Sequence, residues 1–296
     1  MNPENGIVLV VGGTGRTGYH VVQELLSKNF QIRLISRNRK SAEETFKQDL
    51  IQMESVYECD LFQEAKLQKS KLESKKEIKS ILDLAFEPSR KGLRVQAIVS
   101  ALGYNYKSSD DSRIVEETVI QLLIQLCKKH NVNNFILTSS MCITRPYNFV
   151  SYLINSFASN ALGYKVYGEN ALRESGLNYI IVRPGGLVGT QKDTKSTNYT
   201  IEQGDRSSGR ITRATVAKII VEALQAQNLP KKLTFECYST KQQSREEYKP
   251  FNGSNLQPDN ESSIVRGDHV KAKRIINLAL LSFFVISLAF LYKRLF

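Results

Sequence analysis

Disulfide frameworks and cysteine-based metal sites are the first classes to drop out. The 296 residues include 4 cysteines and 3 histidines. Cys59, Cys127, Cys142 and Cys237 are scattered, with no Cys-x-x-Cys pair and no Cys/His ligand spacing. Reduced thiols in a reducing compartment are the expectation. No basic region followed by a long apolar run opens the chain, so no secretory signal is expected. The sequons at Asn198, Asn252 and Asn260 then carry no weight. Internal repeats are absent. Negative charge is in deficit: Lys+Arg 41 against Asp+Glu 29 gives +12. Such an excess favours anionic partners, among them phosphate cofactors, nucleic acid or an acidic membrane face. Aromatics are not interleaved with the basic runs, which argues against nucleic acid.

What remains is a globular balance, 41% hydrophobic and 24% charged. Short apolar runs alternate with helix-period segments, the pattern of a parallel α/β sheet. Strands are expected at Ile7–Val11, Ile32–Ile35, Met53–Cys59, Val95–Leu102, Phe135–Thr138 and Tyr179–Val182. Their continuous apolar character fits burial on both faces. Helices are expected at Arg16–Lys28 and at Ile114–Lys129, where Val115, Val119, Leu122, Leu123 and Leu126 recur at helical spacing. The Lys/Glu-rich stretch Phe62–Arg94 reads as an extended exposed helix, with a basic binding arm as the other possibility. The fold class expected is α/β, a Rossmann-type doubly wound parallel sheet in a single domain over residues 1–240.

Two further segments follow. Residues 241–270 are rich in Gln, Ser, Asn, Pro and charge, and read as a flexible polar linker. Residues 271–296 contain Ile275–Tyr292, 18 residues without charge, flanked by Lys271, Lys273, Arg274, Lys293 and Arg294. A helix there would cover roughly 27 Å of a hydrocarbon core of about 30 Å. The expectation is a single-pass C-terminal membrane anchor with the catalytic domain in the cytosol. Endoplasmic reticulum, outer mitochondrial and peroxisomal membranes are left open.

The strongest motif is Gly12-Gly13-Thr14-Gly15-Arg16-Thr17-Gly18, between the first strand and the first helix. Gly13-x-Gly15-x-x-Gly18 fits the dinucleotide fingerprint. Its glycines allow a tight turn, close phosphate approach and close helix packing, and the diphosphate sits on the free amides of the helix start. The second strand runs into Ser36-Arg37-Asn38-Arg39-Lys40, where an NAD site usually places an acid for the ribose hydroxyl. Arg37 and Arg39 can instead pair with a 2′-phosphate, so NADP(H) is preferred over NAD(H).

With these motifs the chain resembles the atypical short-chain dehydrogenase/reductases, in particular the NmrA-like, NAD(P)-binding branch, from about Ile7 to Ser239. The resemblance rests on the glycine turn, Arg37, Cys59-Asp60-Leu61, Val99-Ser100-Ala101-Leu102-Gly103 and Thr138-Ser139-Ser140. It rests further on Glu169 to Leu177, Val182-Arg183-Pro184-Gly185-Gly186-Leu187 and Ile211-Thr212-Arg213-Ala214-Thr215-Val216-Ala217. It implies that Asp60 and Leu61 meet the adenine, and that Ser100, Ala101, Leu102 and Gly103 line the ribose and diphosphate path. Thr138, Ser139 and Ser140 would lie toward the nicotinamide, with Ser139, Ser140 and Lys165 as the catalytic candidates. Lys165 would hold the ribose hydroxyls, and Pro184, Gly185 and Gly186 would cover the ring. One departure stands out. The family's Tyr-x-x-x-Lys relay would need Tyr where Ala161 precedes Lys165. Tyr164 and Tyr167 are near but wrongly spaced, and neighbours on a helix point about 100° apart. Thr215 likewise occupies a position that is commonly Asp.

The region 187–210 is expected to carry substrate specificity. It shows no metal-ligand cluster, nucleophile elbow or paired carboxylates. Two readings follow: an NADP(H)-dependent oxidoreductase of unknown substrate without the usual relay, or a non-catalytic NADP(H)-dependent redox sensor or assembly factor.

Overall fold

The computed structural model describes residues 1, 6–71, 81–105, 111–193, 195–239, 250–260, 263–265 and 267–295. The first strand, β1 (Ile7–Val11), is wholly buried. Its side chains divide by alternation. Ile7, Leu9 and Val11 join one apolar cluster, and Val8 and Val10 join another. Such a strand needs helices on both faces. Helix α1 (Arg16–Ser27) supplies one side through Val21, Val22, Leu25 and Leu26. Each such buried side chain contributes roughly 1.5–3 kcal/mol. The helix ends at Asn29, whose φ of 60° turns the chain into β2 (Gln31–Ser36).

The remaining elements of the first half are α2 (Arg39–Phe46), β3 (Ser55–Glu58), α3 (Leu61–Lys71), α4 (Ile81–Leu84), β4 (Val95–Ser100), α5 (Val119–Lys129) and β5 (Asn134–Thr138). The second half adds α6 (Phe149–Phe157), α7 (Ala161–Glu174), β6 (Asn178–Pro184), β7 (Gly186–Val188), β8 (Tyr199–Glu202), β9 (Arg210–Thr212), α8 (Arg213–Gln225), β10 (Lys232–Ser239) and α9 (His269–Leu295). The main sheet has 8 strands in the order β3-β2-β1-β4-β5-β6-β10-β8. Pairing is parallel throughout except where β8 runs antiparallel to β10. This is the doubly wound Rossmann arrangement, with its order reversing between β1 and β4, where such sheets bind ligands. Helices α1 and α8 cover one face, while α5 and α7 cover the other. Strands β7 and β9 form a separate parallel pair.

Two expected elements change shape. The helix expected over Ile114–Lys129 opens with a wide π-type turn, Ile114–Thr118, before α5. The stretch Phe62–Arg94 divides between α3, the short α4 and an irregular approach to β4, and residues 72–80 lie outside the described residues.

The tail corrects the expectation of an anchor. Residues 250–260 and 263–265, inside the stretch read as a flexible linker, lie against the domain. Phe251 packs on Phe235 with ring centroids 5.4 Å apart, and the Asp259 amide donates to the Lys232 carbonyl at 2.8 Å. Helix α9 spans 27 residues and starts on the domain, with His269 1% and Ala272 0% exposed. Tyr152 donates to Asn277 Oδ1 at 2.9 Å and Lys273 Nζ to the Asn155 carbonyl at 3.2 Å. Among the described residues no helix is long and apolar enough to cross a membrane. The physical reason lies in the docking. The head of the apolar run is spent on the domain, since Lys273 and Asn277 are bonded to α6 and Ala272 is fully buried.

Candidate functional site

At the carboxyl ends of β1, β2, β3 and β4 lies a cleft of about 560 Å³. Its floor is the glycine turn. Gly12 has φ +77°, and a Cβ there would press on the Ala101 and Leu102 backbone at 3.0 Å. A Cβ on Gly18 would strike the Gly12 carbonyl, so α1 can approach the turn only because this position is bare. The Gly15 amide donates to the Gly12 carbonyl at 3.0 Å, and Gly15 caps α1 in extended conformation without a side chain. The free amides of the first turn therefore face the cleft, whose lining includes Thr14, Gly15, Arg16 and Thr17.

Past β2, Arg37 also lines the cleft, its guanidinium 5.1 Å from the Phe62 ring centroid. Arg39 does not line it: Nη2 donates to the Val56 carbonyl at 3.2 Å. Asp60 starts α3 by accepting from the Phe62 and Gln63 amides at 3.0 and 3.4 Å, while Leu61 forms cleft wall. Ala101, Leu102 and Gly103 line the opposite wall, and the Ala101 amide is held by the Val11 carbonyl at 2.9 Å. Ser100 is fully buried beneath them. Its hydroxyl and that of Thr138, at the end of β5, have no hydrogen-bond partner among the described residues. Orphaned buried hydroxyls are costly and mark places where a ligand could complete the bonding.

The nicotinamide-end candidates stand deeper along the sheet ends, outside this cleft. The Ser139 amide donates to the Val182 carbonyl at 2.7 Å, and Ser140 Oγ to the Met141 carbonyl at 3.0 Å. The Met141 amide bonds the Pro184 carbonyl at 3.0 Å; the Gly185 and Gly186 amides bond Cys237 and Gly209 carbonyls at 2.9 and 2.8 Å. Lys165 projects from α7 to Glu116 Oε2 at 2.6 Å. Glu116 sits in the π-type turn, and its other oxygen accepts from the Tyr104 amide at 2.7 Å. One carboxylate thus ties Lys165 to the loop after β4. Ala161 stands buried at the start of α7. Tyr167 is 43% exposed, and its hydroxyl pKa is raised by burial and then by Asp268 and Glu117, opposite to what a relay tyrosine needs.

Beneath these residues lies a buried charge network. Glu169 pairs with Arg183 at 2.6 Å and with Arg173 at 2.9 Å, and Arg183 pairs with Glu236 at 2.9 Å. Burial alone would raise the Glu169 pKa; Arg183 and Arg173 outweigh it and hold the carboxyl at about 2. Burial pushes Glu236 upward despite Arg183.

Several cleft residues escaped the sequence reading as site residues, among them Tyr104, Leu187, Gln191 and Arg213. Gln191 donates to the Thr14 carbonyl at 3.3 Å, His20 Nε2 to the Thr190 carbonyl at 3.0 Å, and Arg213 to the Gly189 carbonyl at 2.5 Å. The segment Gly189–Gln191 is thereby strapped across the glycine turn. Leu187 and Arg213 lay within quoted motifs, and nothing local marks the role of either. Among the described residues no Asp or Glu lines the cleft, whereas Arg16, Arg37 and Arg213 do.

A family model described as NAD(P)H-binding matches residues 12–227. An uncharacterized chloroplastic protein of Arabidopsis thaliana is 27% identical over 225 residues, covering 73% of this chain and 71% of the relative. Protein TIC 62, chloroplastic, of the same plant is 29% identical over 231 residues, covering 73% of this chain but 33% of the relative. This chain therefore spans about a third of the length of TIC 62. Among solved structures, one described as an NAD-dependent epimerase/dehydratase from Bacillus halodurans superposes with a TM-score of 0.61 at 24% identity. It covers 79% of this chain and 94% of that one. Both plant relatives are named as chloroplastic, and no described helix can cross a membrane. The expectation of a cytosolic domain tethered to endoplasmic reticulum, mitochondrion or peroxisome is overturned on these two findings.

Proposed function

Since the chain belongs to the NAD(P)H-binding family whose model spans residues 12–227, we propose that it is an NADP(H)-dependent oxidoreductase working without a Tyr-x-x-x-Lys relay. One observation carries the coenzyme preference: among the described residues the cleft is lined by three arginines and by no carboxylate. An acid at the end of β2 would select the 2′-hydroxyl; Arg37 favours a 2′-phosphate instead. The residues present fit the coenzyme, because the bare glycine turn leaves room for a diphosphate and Ser100 and Thr138 offer unused hydroxyls. When bound, the coenzyme supplies a hydride from its nicotinamide ring. Thr14 to Gly18 hold the diphosphate, Arg37 the 2′-phosphate, and Leu61 and Leu102 the adenosine. Lys165, its charge balanced by Glu116, positions the ribose near Ser139 and Ser140. With Ala161 in the relay position, water or the substrate delivers the proton.

That same vacancy supports a second reading, a non-catalytic NADP(H)-dependent sensor or assembly factor. The tests separate them. Titration calorimetry on the full chain should give tighter binding of NADPH than NADH, roughly 10-fold or more for one additional charge-assisted contact. Equal affinities would refute the preference. NADPH oxidation with quinone, aldehyde and flavin acceptors should show turnover for the enzyme. Tight binding with no turnover across that panel would favour the sensor.

A further inference from the structure

Arg213 is placed where a lone cation is least comfortable. It is 7% exposed. It opens α8, and a cation in a first turn meets the positive end of the helix. Its neighbour across the cleft is another cation, Arg16; burial first, and then Arg16, depress its pKa. The other deeply buried arginines are matched by acids: Arg33 by Glu54, Arg173 by Glu169 and Asp259, Arg183 by Glu169 and Glu236. The described partner of Arg213 is a neutral carbonyl, that of Gly189. Desolvation, the helix dipole and a like charge all disfavour this arrangement, and a single anion in the cleft relieves all three.

The position of that anion follows from the neighbours. Arg213 lies beside the strap whose Gln191 bonds Thr14, at the glycine turn, whereas Arg37 stands at the end of β2. We propose that Arg213 is a ligand of the dinucleotide diphosphate, gripping it from α8 while Arg16 and the first-turn amides grip it from α1. The strap Gly189–Gln191, held by the same guanidinium, is thereby coupled to the filled diphosphate site. This rests on the coenzyme reading above.

The test is calorimetry on the full chain with NADPH, NADH, ADP-ribose and adenosine 2′-phosphate, comparing Arg213→Gln and Arg213→Lys with the parent. Loss of one buried charge-assisted contact corresponds to roughly 10- to 100-fold in affinity. Arg213→Gln should weaken the three diphosphate ligands by the same factor and leave adenosine 2′-phosphate unchanged; Arg213→Lys should recover part of the loss. The unliganded midpoint of thermal unfolding should hold or rise, because a repulsive cation is gone. Loss confined to NADPH and adenosine 2′-phosphate would overturn the proposal, as would unchanged binding or a lowered unliganded midpoint with every ligand weakened. Failure of the parent chain to bind any of the three diphosphates would instead overturn the coenzyme reading, and the clamp with it.

Discussion

Two cavities of nearly equal size lie in this molecule, and they treat charge in opposite ways. The cleft at the glycine turn, about 560 Å³, is lined by Arg16, Arg37 and Arg213 and, among the described residues, by no acid. The cavity beside residues 257–259 and 263–265, about 530 Å³, is walled by Arg173, Arg183, Glu236 and Asp259. There each arginine meets at least one carboxylate within 3.4 Å. A region whose charges cancel internally is finished as it folds. A region lined, among the described residues, by basic side chains and no acid is suited to an anion from outside. The contrast is one of charge balance, since the network too keeps a buried oxygen without a hydrogen-bond partner among the described residues, Glu236 Oε2.

The comparison breaks most sharply at Glu169. Glu169→Gln strands Arg173 and Arg183 in the interior, and removing one partner of a buried pair costs about 3–5 kcal/mol. Urea unfolding should show that loss, with no change in coenzyme affinity per folded molecule. The same residue governs acid stability. Its folded pKa, about 2, lies below the ordinary value of 4.5, so its contribution is complete above 4.5 and drains away as pH falls from there toward 2. A denaturation series across that window should show a decline that Glu169→Gln flattens.

A smaller effect belongs to the open cleft. Arg37→Met should weaken NADPH by roughly 10- to 100-fold and NADH hardly at all, the converse of the clamp variant. Equal losses for both coenzymes, by fluorescence titration, would place the 2′-phosphate elsewhere.

The first half of the sheet was readable in the sequence, because β1, β2, β4, β5 and β6 are apolar runs buried on both faces. The second half was not. Strands β7 and β9 have three residues each, and β8 sits at a sheet edge, where only half-burial is demanded. The glycine turn was legible because its function is written in consecutive residues. Arg213 and Gln191 were not, since only the folding of residues 187–213 back across the turn makes them part of it. Arg39 shows the reverse error: a cation in the expected place whose guanidinium bonds the Val56 carbonyl. Helix α9 was visible as a helix from its apolar run. Its docking was not, because that depends on Asn155 and Gly163, more than a hundred residues earlier.

The mildest prediction concerns that docking. His269 Nε2 donates to the Ile143 carbonyl at 2.6 Å, and Nδ1 accepts from Asn155 Nδ2 at 2.9 Å. The Asn155 amide cannot turn over without loss, because its oxygen accepts from the Leu162 amide at 3.1 Å. Only the neutral ring fits. Burial lowers the His269 pKa, partly offset by the Ile143 carbonyl, Asp205 and Asp268. A histidine with a lowered folded pKa stabilises fully above its unfolded value of 6.5 and progressively less below it. Hydrogen-exchange protection in the first turns of α9, taken relative to the intrinsic exchange rate at each pH, should therefore fall between pH 7.5 and 5.5, and His269→Asn should lose that dependence.

The close seating of α9 also fixes where the folded body ends. A Cβ on Gly163 would sit 3.2 Å from that of His269, so α7 carries a bare notch shaped for the helix that follows it in space. A chain cut after β10, where the sheet is already complete, would open this notch to water along the helix that carries Lys165. Such a truncation removes the brace behind Lys165, and its binding behaviour would describe a loosened α7 rather than the intact protein.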